Sequence, residues 1–302
     1  MPLPTFIVAG APKCGTTALW GFLNEHPDVF MSQVKEPRFF TRTNTFGEQI
    51  VRPGPVRPIL YDRGMAWYES LFETDLHVRG EASTLYFAAP DAADLIREHI
   101  PDVKLVFLLR DPVARLYSHY WQDHKSGIDM PPFERMVNEE LPEFRYYALV
   151  SSYARHLERF LSRFTPDRVL TLLYEDLRQK PQETFARVCS FLGASPSFVP
   201  PSVGREYNRH SVPRVRALAS LSVRLQHATP TQALPPVMRR SLGRLRQWLS
   251  RINARPEAYP PLRADLRANL VSMFDTDIAF VESLLAVDLS SWRNPDPVRM
   301  RT

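Results

Sequence analysis

Lysine is scarce in this chain. Lys13, Lys35, Lys104, Lys125 and Lys180 are the only five, so 33 of the 38 basic residues are arginine. That bias follows genome composition as readily as phosphate chemistry and carries little weight alone. Cysteine is scarcer still. Cys14 and Cys189 lie far apart in no metal-like spacing, which excludes a disulfide framework and a structural zinc. No apolar run approaches the roughly 18 residues that a membrane-spanning helix needs. The opening stretch, MPLPTFIVAGAPKCG, has neither the charged start nor the roughly 7–15-residue apolar core of a secretory signal. A cytoplasmic protein is the expectation. His119, His124 and His156 have no Cys or His partner at ligand spacing, so surface or core-edge positions are expected for them and no metal site.

What is present is ordinary globular material: 302 residues, 44% hydrophobic, 24% charged and 11% aromatic. A net charge of +5 suits an anionic ligand better than a nucleic-acid coat, which calls for a denser basic stripe. Strand-like apolar runs occur at Phe6–Ala9, Val29–Met31, Val103–Leu109 and Val169–Tyr174. Helix-like stretches lie at Thr16–Glu25, Asp91–His99, Pro112–Asp123, Tyr153–Phe164 and Gln182–Leu192. This alternation predicts an α/β fold, a central parallel sheet covered by helices on both faces. Residues 205–260 break the pattern with Arg, Pro and Ser. Pro261–Trp292 reads as one amphipathic helix with a short tail. No linker divides the chain, so a single domain over 1–302 is expected.

The sharpest feature is Phe6-Ile-Val-Ala-Gly-Ala-Pro-Lys-Cys-Gly-Thr-Thr-Ala-Leu19. A buried strand runs into a turn with Gly10 and Gly15, and Thr16 and Thr17 open a helix. Glycines let backbone N–H groups approach an anion, the helix start adds partial positive charge, and a Lys neutralises phosphate. The spacing is P-loop-like, but the lysine is displaced. A Walker A Lys follows the second Gly directly, whereas Lys13 stands two residues before Gly15. A kinase using ATP and Mg²⁺ is disfavoured by that displacement, and by Arg110 ending the next buried strand where a Mg²⁺-holding acid would stand.

Gly-x-Pro-Lys-x-Gly-Thr-Thr after a first strand resembles the phosphosulfate loop of sulfotransferases that use 3′-phosphoadenosine 5′-phosphosulfate (PAPS). The resemblance spans roughly residues 5 to 195. It implies that Lys13, Cys14, Gly15, Thr16, Thr17 and Ala18 cradle the donor's 5′-phosphate, with Lys13 also catalytic in stabilising the bridging oxygen and the departing phosphate. It implies a second site in Leu105-Val-Phe-Leu-Leu-Arg110-Asp-Pro-Val-Ala-Arg-Leu-Tyr-Ser118, where Arg110 and Ser118 hold the 3′-phosphate. An Arg leaving the C-terminal edge of a parallel strand stands where open α/β sheets bind ligands, and its planar fork fits a phosphate.

The aryl and steroid branch of that family uses a His base after a central strand, but Arg79-Gly-Glu-Ala-Ser-Thr-Leu-Tyr86 has none. The glycan-type branch, typified by heparan sulfate sulfotransferases and joined by bacterial relatives, uses a Glu shortly before paired Phe. Lys35-Glu36-Pro-Arg-Phe39-Phe40 matches it, so Glu36 is the expected base, with Lys35 and Arg38 to orient it or the acceptor. Trp67–Phe72 and Gly80–Ser83 resemble segments beside the acceptor cleft. Ala82 stands where vertebrate glycan members have a Lys, which removes a cationic contact to a highly sulfated acceptor. Tyr207, Arg209 and Arg214 fall where the family closes a late loop over the adenosine and 3′-phosphate. Phe133, Phe144, Tyr146 and Tyr147 serve either an acceptor pocket or the core. The implied reaction moves a sulfuryl group from PAPS to a hydroxyl, or less readily an amine, of a carbohydrate, lipid or natural-product acceptor. It releases 3′-phosphoadenosine 5′-phosphate (PAP) and needs no metal. A non-catalytic nucleotide-binding module is the competing reading, and the joint presence of Lys13, Glu36, Arg110 and Ser118 disfavours it.

Overall fold

The computed structural model describes residues 2–46, 50–54, 56, 58–204, 211–213, 254–256 and 259–294. Five parallel strands form its sheet in the order β2-β5-β1-β6-β7: β1 (Phe6–Gly10), β2 (Val29–Met31), β5 (Val78–Ala82), β6 (Lys104–Leu109) and β7 (Val169–Leu173). The central strands are near-continuous apolar runs, as strands buried on both faces must be. Every residue of β1 is buried, and β6 exposes only part of Lys104. Small antiparallel pairs, β3 (Thr45–Phe46) with β4 (Ile50–Val51) and β8 (Ser211–Pro213) with β9 (Ala254–Pro256), lie outside this sheet.

Helix α1 (Thr16–Glu25) carries the chain from β1 toward the β2 edge. After β6 the chain travels toward β7 through α4 (Pro112–Lys125), α5 (Phe133–Asn138), α6 (Pro142–Ser151) and α7 (Tyr153–Leu161). Because parallel crossovers are right-handed, these opposite directions put α1 and α4 on opposite faces. The crevice between the C-terminal ends of β1 and β6 is therefore open, at the position where such sheets bind ligands.

The expected parallel sheet is present, with one strand more than the apolar runs indicated. Val78-Arg-Gly-Glu-Ala82 carries two charges and a glycine, yet it lies beside β1 at the middle of the sheet. The Pro261–Trp292 stretch is three helices rather than one: α10 (Ala264–Met273), α11 (Asp275–Leu285) and α12 (Ser290–Arg293). Phe274, 1% exposed, turns into the core at the first joint, and Ala286 at φ 52° ends the second helix. Phe133, Phe144, Tyr146 and Tyr147 are core residues of α5 and α6. His119 and His156 are fully enclosed rather than at the surface. Burial holds His156 neutral, its pKa lowered to about 3, while its Nε2 meets the Leu149 carbonyl at 2.7 Å.

Candidate active site at the strand ends

The turn after β1 is unusual for its residues. Lys13 has φ 73° and Gly15 has φ 87°. The lysine pays a steric cost there that glycine does not. Gly15 is also required by contact, since a Cβ would stand 2.8 Å from the Tyr174 ring. Helix α1 starts at Gly15 with no side-chain cap. By contrast α4 is capped by Asp111, whose Oδ1 accepts from the N–H groups of Val113 (2.9 Å) and Ala114 (3.2 Å), with Pro112 as its first residue. The first-turn N–H groups of α1 are thus the ones left for an outside anion. Two of the expected amides are engaged within the turn: Cys14 N–H donates to Ala11 O at 3.3 Å and Ala18 N–H to Gly15 O at 2.9 Å. The Cys14 side chain faces inward to Tyr153, and burial pushes its thiol up to about 12.

Lys13 Nζ donates to Gln122 Oε1 of α4 at 3.0 Å. Burial, then the neighbouring Arg110, lowers its pKa to about 8, opposed by the Asp123 carboxylate. Asp123 is itself enclosed, accepting from Arg52 at 3.1 Å and from Tyr147 OH at 2.9 Å.

Arg110 follows β6, and its guanidinium lies 4.7 Å from the centroid of the Tyr174 ring. The neighbouring Asp111 does not neutralise it. Its Oδ2 accepts from Arg267 of α10 at 2.7 Å, and its other oxygen caps α4. Beside Arg110 sits Glu175, the second residue of α8 (Tyr174–Gln179), whose pKa burial raises to about 7 against the pull of Arg110. Its Oε2 has no hydrogen-bond partner among the described residues. Ser118 lies buried on α4, two turns beyond Arg110. Tyr259 stacks on Trp121 at 5.1 Å and feels the Arg110 charge.

The third part of the site is the segment after β2. Lys35 Nζ donates to Thr17 Oγ1 at 2.9 Å, which ties this segment to α1. Glu36 N–H donates to Ala82 O, while both its carboxylate oxygens accept from Thr84, Oε2 from the N–H (3.1 Å) and Oε1 from the hydroxyl (3.0 Å). Arg38 is buried, its guanidinium on the Pro58 carbonyl. The structure therefore brings Lys13, Arg110 and the α1 start together at the ends of β1 and β6, and Lys35 links Glu36 to the same loop. Tyr207, Arg209 and Arg214 lie outside the described residues.

A family model described as the sulfotransferase domain matches residues 3–221, well over half of the chain. This chain belongs to the sulfotransferase family of enzymes. A sulfotransferase structure from Alicyclobacillus acidocaldarius superposes over 97% of this chain and 100% of its own, with a TM-score of 0.68 and 26% identity. The human heparan sulfate glucosamine 3-O-sulfotransferase 3B1 is 33% identical over 198 residues, covering 63% of this chain and 46% of that protein. The mouse bifunctional heparan sulfate N-deacetylase/N-sulfotransferase 3 is 31% identical over 217 residues, covering 65% of this chain and 23% of that protein. The chain thus spans about half or less of the length of the curated relatives it matches.

Sequence reasoning missed Thr84, Gln122, Tyr174 and Glu175 at this candidate site. Only Tyr174 had a local signal, as an aromatic ending an apolar strand. The rest arrive from more than 45 residues away.

Proposed function

We propose that this sulfotransferase moves a sulfuryl group from PAPS to a hydroxyl of a glycan-type acceptor, releasing PAP. The observation that carries the reading is the Lys35–Thr17 hydrogen bond, because it joins the Glu36 turn to the phosphate loop that bears Lys13. The residues present fit the donor. A cation crowded by Arg110 and by burial gains stability from an anion beside it, and Arg110 is not spent on Asp111.

PAPS supplies an activated sulfuryl group when bound. Lys13 and the N–H groups at the α1 start neutralise the 5′-phosphate as it gains charge, and Arg110 with Ser118 takes the 3′-phosphate. Glu36, its carboxylate oriented by Thr84, accepts the proton of the acceptor hydroxyl. The acceptor oxygen forms a bond to sulfur while the bond from sulfur to the phosphate oxygen breaks in line, and the electron pair leaves on that phosphate. The 3-O- and N-sulfotransferase relatives support a glucosamine-containing acceptor. Ala82, 1% exposed, offers no cation there, which favours an acceptor carrying few sulfates.

Transfer from ³⁵S-labelled PAPS to heparan sulfate and to its desulfated form is the test. Glu36→Gln should lower kcat by ~10²–10⁴ with PAP affinity unchanged. Full activity in that variant would remove Glu36 from the mechanism. Thermal stabilisation by PAP but not by ATP with Mg²⁺ is expected, and the reverse would move the chain to phosphoryl transfer.

A further inference from the structure

Beneath the Glu36 turn lies a carboxyl group that the reaction does not use. Glu81, on the interior strand β5, is 0% exposed. Tyr68 OH donates to its Oε1 at 3.2 Å, and its Oε2 has no hydrogen bond of full geometry among the described residues. A buried polar atom in that state is costly and calls for an explanation.

The explanation lies one layer above. The 36–40 turn rests on residues 82–86 through a run of contacts. Glu36 N–H donates to Ala82 O at 3.1 Å, Arg38 N–H to Ser83 Oγ at 2.9 Å, and Phe40 N–H to Tyr86 OH at 3.2 Å. Two residues of the turn, Glu36 (φ 58°) and Arg38 (φ 47°), hold a left-handed backbone that non-glycine residues adopt at a cost, so these anchors set the turn's shape. A hydroxyl whose oxygen accepts an N–H must direct its own proton elsewhere. For Ser83 and Tyr86 the group at hand is the Glu81 carboxyl. Both hydroxyls lie near enough to draw its pKa back down, yet burial still raises it to about 8; the titratable groups facing it are Tyr68, Tyr86 and Glu36.

We propose that Glu81 is a positioning residue for sulfuryl transfer: its buried carboxyl orients the Ser83 and Tyr86 hydroxyls, which hold the 36–40 turn and with it the carboxylate of Glu36. The kinetic part of this rests on Glu36 as the base. The structural part does not.

Two measurements on the full chain test it. Amide hydrogen exchange reads the turn without any acceptor. In Glu81→Leu, which removes the acceptor group while filling the space, protection of the Arg38 and Phe40 amides should fall at least tenfold, while Val8 of β1 and Val106 of β6 keep theirs. Glu81→Gln, which retains one carbonyl oxygen, should lie between Glu81→Leu and the wild type. With ³⁵S-labelled PAPS and desulfated heparan sulfate, Glu81→Leu should lower kcat about tenfold and leave KM for PAPS within twofold. A purely structural loss would move both constants together with Val8 protection. If Glu81→Leu does not fold, Ser83→Ala removes one anchor directly, and the Arg38 amide should then lose protection to the same degree. Unchanged Arg38 and Phe40 protection in the folded variants overturns the proposal, even with Glu36→Gln inactive. Lost protection with Glu36→Gln fully active overturns the base assignment and leaves the anchoring role standing.

Discussion

Lys13→Met isolates a charge that the fold holds under strain. Burial and Arg110 lower the Lys13 pKa from its ordinary 10.5 to about 8, so near pH 8 about half of the unliganded molecules lack that charge. A nucleotide phosphate beside the ammonium favours the protonated form and restores it. Restoring the ordinary value, a gap of about 2.5 pKa units, corresponds to about 3 kcal/mol of proton-linked binding. The sign is fixed by linkage. Below pH 7 Lys13 is already charged in the free protein and binding takes up no proton there. As pH rises through 8 the bound state holds a proton that the free state has lost, so PAP affinity falls, by about tenfold between pH 7 and pH 9. Titration calorimetry in two buffers of different ionisation enthalpy measures this uptake. About half a proton per PAP is expected from Lys13 at pH 8, and almost none at pH 6. Glu175, lifted to about 7 by burial and lying beside Arg110, adds uptake of its own around neutrality. The difference between wild type and Lys13→Met at pH 8 therefore carries the argument. Equal uptake in the two proteins would refute the placement of Lys13 against the donor phosphate.

Arg110→Ala should weaken PAP binding by about 10–100-fold, the loss of charge-assisted hydrogen bonds, and leave KM for the acceptor within twofold; equal losses on both substrates would count against the 3′-phosphate role. Asp111→Ala removes both the cap of α4 and the buried partner of Arg267, so urea denaturation should report a loss of about 4 kcal/mol, and a loss below about 1 kcal/mol would refute the pairing. For Glu81 the pKa is raised in the fold, from the ordinary 4.5 to about 8, so its contribution to stability is present below pH 4.5 and is lost as pH rises through 8. Glu81→Gln removes that titration, so its unfolding free energy should decline less than the wild type's between pH 5 and pH 8. Parallel curves for the two proteins would refute it.

Much of the scaffold is legible without coordinates because its signals are local. An uninterrupted apolar run can bury both faces of a strand, so β1, β6 and β7 are readable, and a glycine turn ahead of paired threonines marks the start of α1. The displaced lysine and the Arg after a buried strand are likewise read along the chain, and they follow the C-terminal ends of β1 and β6. Strand β5 escaped because an interior strand can carry Arg79, Gly80 and Glu81 when Gly80 makes room for the Phe6 ring and tyrosine meets the carboxyl. No periodicity announces that exception.

The C-terminal stretch shows the same limit. Its apolar spacing suits one helix, but Phe274 and Trp292 are both buried in the core and the chain breaks into three helices to bring them there. The amino-acid sequence by itself determined the parallel α/β sheet, the glycine turn that opens α1 and the identity of the charged groups at the strand ends. Only the tertiary structure decided their partners: Lys13 with Gln122, Glu36 with Thr84, and Arg267 taking Asp111 away from Arg110. Hydrophobic pattern and turn chemistry act over a few residues. These contacts close loops of 48 to 156 residues, and which groups meet across them depends on how the whole sheet and its helices pack.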